Sequence, residues 1–180
     1  MRLFVALDIP DDVRAAIAAA VKKLQRTCEA ARWVRLEGAH VTLKFIGEVP
    51  AERAEPIKAA LATVLFPGAI KIFFRGIGFF PNERRPRVLW AGVEVDPELR
   101  TLAAAVKNSL EPLGFACEQR EFSPHVTLAR FKSPEKLESL RTAIAAAGPL
   151  EFGSVVAHEF HLYQSILKPG GAEYTRLASF

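Results

Sequence analysis

The tetrapeptide His-Val-Thr-Leu occurs twice in this chain, at residues 40–43 and at residues 125–128. Because successive side chains of a β-strand point to opposite faces, the His and Thr of each copy would share one face. Two such imidazole–hydroxyl pairs facing each other across a cleft would supply two proton-transfer groups and two hydrogen-bond donors. These are the groups that hydrolysis of an anionic ester requires.

A phosphodiester or cyclic phosphate is an anionic ester that suits this arrangement. Its hydrolysis needs a base to deprotonate water, an acid to protonate the departing oxygen, and donors for the non-bridging oxygens. An unperturbed histidine pKa of about 6.5 lets one imidazole be neutral and the other cationic near neutral pH. We therefore expect His40 and His125 to divide the acid and base roles, with the hydroxyls of Thr42 and Thr127 on the phosphate.

Two basic residues follow the motifs closely. Lys44 would share the face of His40 if the strand stays regular, and it is a candidate for neutralising phosphate charge. Arg130 could hold an oxyanion through two parallel hydrogen bonds. Alternation places Arg130 away from the face of His125, so this role requires the strand to bend or end near Ala129.

Other polar and aromatic residues have an ordinary structural interpretation. His158 and His161 are three apart on a predicted strand, so they would be partly exposed residues on opposite faces. The arginines of residues 81–87 are interpreted as solvated charges, although they could follow a polynucleotide backbone. Four aromatic residues could stack on a base, but aromatic residues in apolar strands usually belong to the core; they are Trp33, Phe45, Phe79 and Trp90.

Neither motif indicates a metal centre. Two histidines from distant strands lack the third protein ligand of a typical catalytic zinc site, and neither motif contains Cys, Asp or Glu. Cys28 and Cys117 have no metal-ligand spacing and are interpreted as reduced thiols of a cytosolic protein. The sequence predicts no metal and no cofactor.

Composition is that of a folded and slightly basic protein. Half of the 180 residues are hydrophobic, which disfavours disorder. The net charge of +4 fits an anionic ligand but is far from that of an arm-like nucleic-acid binder. The apolar run at residues 1–6 is too short for a signal peptide or a membrane span, and no later window lacks charges for long enough. We expect a monomeric, cytoplasmic protein that does not enter a membrane.

Strands and helices are predicted from hydrophobic periodicity and from turn residues. The predicted strands cover residues 3–7, 33–36, 40–46, 70–80, 89–93, 125–131, 155–165 and 174–180. The predicted helices cover residues 12–26, 51–65, 97–110 and 133–147, the first with Val13, Ile17, Val21 and Leu24 on one face.

A larger unit repeats together with the motif. Residues 89–100 resemble residues 3–14 position by position at a shift of 86, and the two motif copies lie 85 residues apart. A common period indicates an internal duplication within a single domain, with approximate halves 1–86 and 87–180 and a boundary in the Pro- and Arg-rich segment 81–87. Helix-separated strands also fit a doubly wound parallel sheet, although no glycine-rich phosphate loop favours it.

With these residues, the sequence resembles the 2H phosphoesterase superfamily, whose members carry two His-x-Thr motifs. Within it, the sequence is most similar to the RNA 2',3'-cyclic phosphodiesterases, also called 2'-5' RNA ligases. The resemblance covers essentially the whole chain, through residues 4–7, 33–34, 40–47, 79–81, 86–90, 123–130, 164–165 and 174.

The resemblance implies an α+β, bilobal 2H phosphoesterase fold. Two pseudo-symmetric lobes with antiparallel-rich sheets would line a central cleft, with helices outside. By correspondence with the superfamily motifs, His40 and His125 would be catalytic and Thr42 and Thr127 phosphate-binding, and Arg130 would follow as a phosphate ligand.

The implied activity is metal-independent hydrolysis of RNA 2',3'-cyclic phosphate ends to 2'-phosphomonoesters, with RNA joining as the reverse chemistry. The expected partner is RNA with such an end, or a related nucleotide. The alternatives are a 2'-5' RNA ligase, a nucleotide cyclic phosphodiesterase, and a module that binds nucleotides or RNA without turnover.

Overall fold

Nine strands and four helices are found in the part of the chain that the structure, a computed structural model, describes: residues 1–29, 31–94, 96–115, 121–133, 137–168 and 171–180. The strands are β1 Arg2–Asp8, β2 Arg32–Trp33, β3 His40–Glu48, β4 Ile70–Phe80, β5 Val88–Val93, β6 His125–Arg130, β7 Glu151–Ala157, β8 His161–Lys168 and β9 Gly171–Ser179. The helices are α1 Asp11–Gln25, α2 Ala54–Leu61, α3 Pro97–Leu110 and α4 Glu138–Ala147, and short 3₁₀ turns lie at Leu36–Gly38, Ala51–Arg53 and Glu111–Leu113.

The strands form two sheets, one in each lobe. The first sheet has four strands in the order β3-β1-β8-β9, and the second has five in the order β2-β6-β5-β4-β7. Every strand pair of the described residues is antiparallel. The α+β prediction is therefore confirmed, and the doubly wound parallel alternative is wrong.

Each sheet takes strands from both ends of the chain. β1 and β3 are joined by β8 and β9, while β5, β6 and β7 are joined by β2 and β4. Segment 81–87 links the neighbouring strands β4 and β5, and its closing bond runs from the Arg87 N–H to the Phe80 carbonyl at 2.7 Å. The proposed halves 1–86 and 87–180 thus do not coincide with the two sheets. The orders β3-β1-β8-β9 and β6-β5-β4-β7 nonetheless match strand for strand, and the internal duplication stays a prediction.

The helices form where sequence signals for capping and amphipathicity coincide. α1 has Asp11 and Asp12 in its first turn, where carboxylates favour the helix dipole, and it buries the predicted face of Val13, Ile17, Val21 and Leu24. α3 begins after Asp96, whose carboxylate accepts the Glu98 N–H at 2.8 Å. The buried residues of α3 join the same apolar core as those of α1.

Three predicted elements differ in the structure. α2 is shorter than residues 51–65, because Ala51–Arg53 is a 3₁₀ turn and the N–H groups of Thr63 and Val64 bond to carbonyls only three residues back. Of the predicted strand 33–36 only Trp33 is strand. The start of the predicted helix 133–147 falls partly on residues 134–136, which lie outside the described residues.

The predicted single strand 155–165 is two strands in different sheets. β7 pairs with β4, whereas β8 pairs with β1 and β9. The chain crosses between the sheets at residues 158–160, where Phe160 is fully buried and exchanges two backbone hydrogen bonds with Phe180 at 3.0 and 2.9 Å. Burial of Phe160 at the crossing fixes the end of one strand and the start of the next.

Within the described residues, no helix is both long and apolar enough to span a bilayer. Cys28 is buried and carries a free thiol, and Cys117 lies outside the described residues.

Candidate active site

The two motif strands, β3 and β6, place their side chains as predicted. Val41, Leu43, Val126 and Leu128 are buried in the core, whereas the two histidines and the two threonines between them are half-buried on the opposite face. β3 and β6 contact each other across the two lobes. Burial lowers the pKa of His40, and the charge that His125 carries when protonated lowers it further, so the two imidazoles sense each other electrostatically.

Each motif strand contains a β-bulge at the same motif position. In β3, Lys44 pairs with Val5 and Thr42 with Ala6, so Leu43 is the extra residue. In β6, Ala129 pairs with Leu89 and Thr127 with Trp90, so Leu128 is the extra residue. A bulge reverses the alternation of the side chains that follow it. The residues three positions after Thr, Phe45 in β3 and Arg130 in β6, therefore return to the face of the histidine.

Arg130 thus lies on the His125 face, contrary to strict alternation. Its guanidinium is exposed and is close enough to His125 to lower the pKa of that imidazole, after the larger lowering by burial. Lys44, in contrast, lies on the core side of β3. Its partner Val5 is in the core, and Lys44 is only 7% exposed. The expectation that Lys44 shares the face of His40 is wrong, since the strand does not stay regular.

Each imidazole is held by a hydrogen bond from its Nδ1 to the backbone carbonyl two residues earlier. His40 Nδ1 lies 2.8 Å from the Gly38 carbonyl, and His125 Nδ1 lies 2.8 Å from the Ser123 carbonyl. Because a carbonyl can only accept, each Nδ1 carries its proton and donates it. Nε2 is therefore the atom at which each ring takes up or releases its second proton.

The His40 ring is packed among aromatic side chains of the first sheet. Phe4 stacks on His40 with ring centroids 4.4 Å apart, and Tyr174 meets it edge-on at 5.1 Å. Tyr174 also covers Gly38, where an added Cβ would lie 2.5 Å from the ring. Phe45 is 53% exposed and contacts Phe4, which makes it an accessible aromatic side chain of the His40 face.

The His125 ring has a different aromatic neighbour. Phe80 meets His125 edge-on at 4.9 Å and contacts Trp90 at 5.2 Å. The Trp90 indole lies over Gly78, where an added Cβ would be 2.2 Å from the ring. Trp90 and Phe45 therefore remain candidates for base stacking, whereas Phe79 is buried in the core and the indole of Trp33 donates to the Cys28 carbonyl at 3.2 Å.

The charges next to the two histidines are of opposite sign. Asp8 is the residue opposite His40 in the β1–β3 pair, and its carboxylate raises the pKa of His40 against the larger lowering by burial. The residue opposite His125 in the β5–β6 pair is Gly92, which has no side chain. His125 has Arg130 beside it instead. The site is therefore symmetric in backbone and asymmetric in charge.

A pocket of about 240 Å³ lies beside His40. Its walls include four side chains that the sequence did not predict as part of the site: Asp8, Tyr163, Tyr174 and Arg176. Alternation along β1 from Phe4 to Asp8 could have placed Asp8 on this face. Tyr163 and Arg176 come from β8 and β9, more than a hundred residues from His40, and no local pattern connects them to the motif.

The two histidines outside the motifs differ from expectation. His158 is exposed in the connection between β7 and β8, and its Nδ1 lies 3.2 Å from the Gly68 carbonyl. His161 begins β8 and is only 3% exposed, so the prediction of a partly exposed side chain is wrong for it. Of the loop arginines, Arg84 and Arg85 are exposed, and Arg87 donates to the Lys132 carbonyl at 2.9 Å.

No group of three or more His, Cys, Asp or Glu side chains in a metal-binding arrangement occurs among the described residues. The candidate site comprises two imidazoles, two hydroxyls and one guanidinium on the contacting strands β3 and β6. A two-lobed antiparallel fold with one His-x-Thr strand in each lobe defines a phosphoesterase of the 2H type.

Comparison with known proteins gives the same result. Residues 7–90 and 93–174 match the family described as LigT like phosphoesterase. The RNA 2',3'-cyclic phosphodiesterase of Archaeoglobus fulgidus is 38% identical over 182 residues, which cover 100% of this chain and 99% of that protein. The chain belongs to the LigT-like phosphoesterase family.

Solved structures of relatives share the whole fold. The crystal structure of the protein TT0787 of Thermus thermophilus matches with a TM-score of 0.81 at 34% identity, covering 100% of this chain and 97% of that one. Escherichia coli LigT, solved in complex with 3'-AMP, matches with a TM-score of 0.80 at 29% identity, covering 99% and 96%.

Proposed function

We propose that this protein is an RNA 2',3'-cyclic phosphodiesterase that hydrolyses 2',3'-cyclic phosphate ends to 2'-phosphomonoesters. The observation that carries the proposal is the pair of bulged His-Val-Thr-Leu strands, β3 and β6, which contact each other, each with its histidine bonded through Nδ1 to a backbone carbonyl. The activity named for the Archaeoglobus fulgidus relative supports this choice of substrate.

The neighbouring charges suggest how the two histidines divide the work. A nearby carboxylate favours an imidazolium and a nearby guanidinium favours a neutral imidazole. Burial lowers the pKa of both rings, and the charged neighbours act in opposite directions on them, so we assign His40, with Asp8 opposite, as the general acid and His125, with Arg130 beside it, as the general base.

The reaction then proceeds by in-line displacement at phosphorus. Nε2 of neutral His125 takes a proton from water, and the water oxygen bonds to phosphorus. The bond from phosphorus to O3' breaks, and Nε2 of His40 gives its proton to the departing oxygen. The product carries a 2'-phosphate and a free 3'-hydroxyl.

The remaining groups stabilise the charge that develops on phosphate. The hydroxyls of Thr42 and Thr127 donate to the non-bridging oxygens, one from each lobe. The guanidinium of Arg130 offers a bidentate contact to the same oxygens. None of these steps needs a metal ion, and metal independence stays a prediction.

Product analysis on a defined RNA with a 2',3'-cyclic phosphate end tests the proposal. We expect a 2'-phosphomonoester, and a 3'-phosphomonoester or no turnover would contradict it. With a 5'-hydroxyl RNA added, the appearance of a 2'-5' bond would identify the ligase reaction, in which that hydroxyl replaces water.

A second candidate function is hydrolysis of cyclic phosphates on single nucleotides. It is favoured by the complex of Escherichia coli LigT with 3'-AMP, which shows that a family member accommodates a mononucleotide. Comparing kcat/KM for nucleoside 2',3'-cyclic phosphates and for oligonucleotides separates the two. A module that only binds RNA would show no bell-shaped pH–rate profile. A monomeric state and a cytoplasmic location stay predictions, the first of which light scattering would test.

A further inference from the structure

Asp8 occupies a position in the site that has no counterpart in the other motif. It ends β1 directly opposite His40, and its side chain is about half exposed at the wall of the pocket beside that histidine. The matching position opposite His125 is Gly92. Packing does not require a carboxylate here, because the second lobe forms the same strand pair without one.

Two side chains, Tyr163 on β8 and Arg176 on β9, hold the Asp8 carboxylate, and His161 lies nearby. The Tyr163 hydroxyl donates to Oδ1 at 2.5 Å, and the Arg176 guanidinium donates to Oδ2. His161 Nε2 lies 3.6 Å from Oδ2, while its Nδ1 is bonded to the Ser179 hydroxyl at 2.9 Å. Both oxygens of Asp8 therefore have a hydrogen-bond partner, and rotation of the carboxylate would break these bonds.

The same residues also connect to the His40 ring. Phe4 stacks on His40 and, with ring centroids 5.4 Å apart, on Tyr163. Arg176 Nε in turn donates to the Tyr163 hydroxyl at 3.3 Å. A continuous set of contacts thus runs from the carboxylate, through Tyr163 and Phe4, to the imidazole.

We propose that Asp8, fixed by Tyr163 and Arg176, is a positioning residue that favours protonation of His40 against the opposing effect of its burial and so prepares it as the general acid. This inference rests on the proposed function. It adds to it a residue that does not touch the phosphate and acts through His40.

The other charged and titratable groups around His40 do not supply this negative charge in the same way. Burial lowers the pKa of His161, which favours its neutral form. His125, when protonated, opposes protonation of His40. The remaining groups are Arg14 on α1, Glu37 in the 3₁₀ turn, Tyr163 on β8, and Tyr174 and Arg176 on β9. The hydrogen bond to the Gly38 carbonyl raises the pKa of His40 against burial, and among the charged side chains Asp8 raises it further.

The test is the Asp8→Asn variant, which keeps the size of the side chain and removes its charge. We expect the NMR titration of the His40 ring protons to move to lower pH, since the imidazolium loses its counter-charge. In turnover of a cyclic-phosphate-ended oligonucleotide, the basic limb of the pH–rate profile moves to lower pH, because that limb reports the general acid. At a pH above the wild-type basic limb we expect a roughly tenfold loss of kcat/KM.

Two further variants separate this role from a structural one. Glu173→Gln removes an exposed carboxylate from β9 of the same sheet. It should change neither the NMR titration of His40 nor the basic limb of the pH–rate profile. Tyr163→Phe keeps the ring against Phe4 but removes one hydrogen bond to Asp8. The His40 titration and the basic limb of the pH–rate profile should therefore both move to lower pH, by less than in Asp8→Asn.

An unchanged His40 titration in a folded Asp8→Asn protein would overturn the proposal, as would a loss of activity equal at all pH values. Movement of the acidic limb instead of the basic one would overturn the role of His40 as acid. Because the titration is done without substrate, it also decides the coupling of Asp8 to His40 if the wild-type protein proves inactive on RNA.

Discussion

Leu43 of β3 and Leu128 of β6 are the extra residues of two β-bulges that lie at the same place in the two copies of the motif. Each bulge leaves two successive side chains on the core side and returns the next one to the cleft. In the first lobe the returned residue is Phe45, and in the second it is Arg130. The bulges therefore convert a repeated tetrapeptide into a site with an aromatic group on one side and a cation on the other.

Replacement of Arg130 by Ala should reduce kcat/KM by about 10- to 100-fold, through loss of a charge-assisted contact to the phosphate. It should also move the acidic limb of the pH–rate profile to higher pH. Burial lowers the pKa of His125, and the Arg130 guanidinium lowers it further. Removal of the guanidinium therefore raises that pKa and moves the acidic limb upward. Arg130→Lys should retain the position of the limb but not the full rate, whereas Arg85→Ala, in the exposed loop, should leave both unchanged.

Removal of either motif imidazole should abolish measurable turnover. For His40→Ala and His125→Ala we expect kcat to fall by at least about 10³-fold, since each ring carries one of two proton transfers. His158→Ala is the matched control, because His158 is exposed and lies outside the cleft. Chelator should have no effect on the wild-type rate, and a rate that falls with chelator and returns with added metal would contradict the metal-free mechanism.

Thr42→Val and Thr127→Val should each lower kcat by about 10- to 100-fold with little change in stability, because valine keeps the branched shape and removes only the donor. Single-turnover kinetics on a cyclic-phosphate end would measure the chemical step directly. Thr175→Val on the exposed part of β9 serves as the control for a hydroxyl removed from a strand. Equal rates for wild type and both motif variants would remove the threonines from the proposed mechanism.

Gly78→Ala should destabilise the fold by about 1–3 kcal/mol, since its methyl group would overlap the Trp90 indole on the cleft face. Urea unfolding would measure the loss. Trp90→Leu in the same background should recover part of it, because the overlapping ring is gone, and a double-mutant cycle would give the coupling energy. Additive effects of the two substitutions would show that the close approach is not the cause.

Stability should decrease as the pH falls below about 6.5, the ordinary histidine value. Burial lowers the pKa values of His40, His125 and His161 in the folded protein. The unfolded chain therefore binds more protons than the folded one in this range. The stabilisation that the neutral histidines contribute is complete above the pKa of the unfolded chain and is lost as the pH falls through the lower pKa values of the folded protein. Urea unfolding over this pH range measures it, and His161→Asn should make the dependence shallower. An unchanged slope in that variant would count against a contribution from His161.

Much of the site follows from sequence because its chemistry is encoded in short-range patterns. The alternation of His-Val-Thr-Leu places imidazole and hydroxyl on one face in both lobes, and the face of α1 is equally local in origin. The repeat separation of 85 residues relates the two motifs before any strand pairing is known. These features depend on the geometry of single strands and helices, which a few neighbouring residues determine.

Strand pairing decided the rest. Lys44 and Arg130 lie on the faces opposite to those that strict alternation predicts, because each follows a bulge. The position of a bulge depends on the register with the partner strand, and no residue type within the motif specifies it. His161, Tyr163 and Arg176 reach Asp8 only because β8 and β9 from the end of the chain join β1 in the first sheet. The residue types of the candidate site are thus predictable from short stretches of sequence. Its charges, and with them the difference between two histidines in identical tetrapeptides, arise from contacts between distant segments.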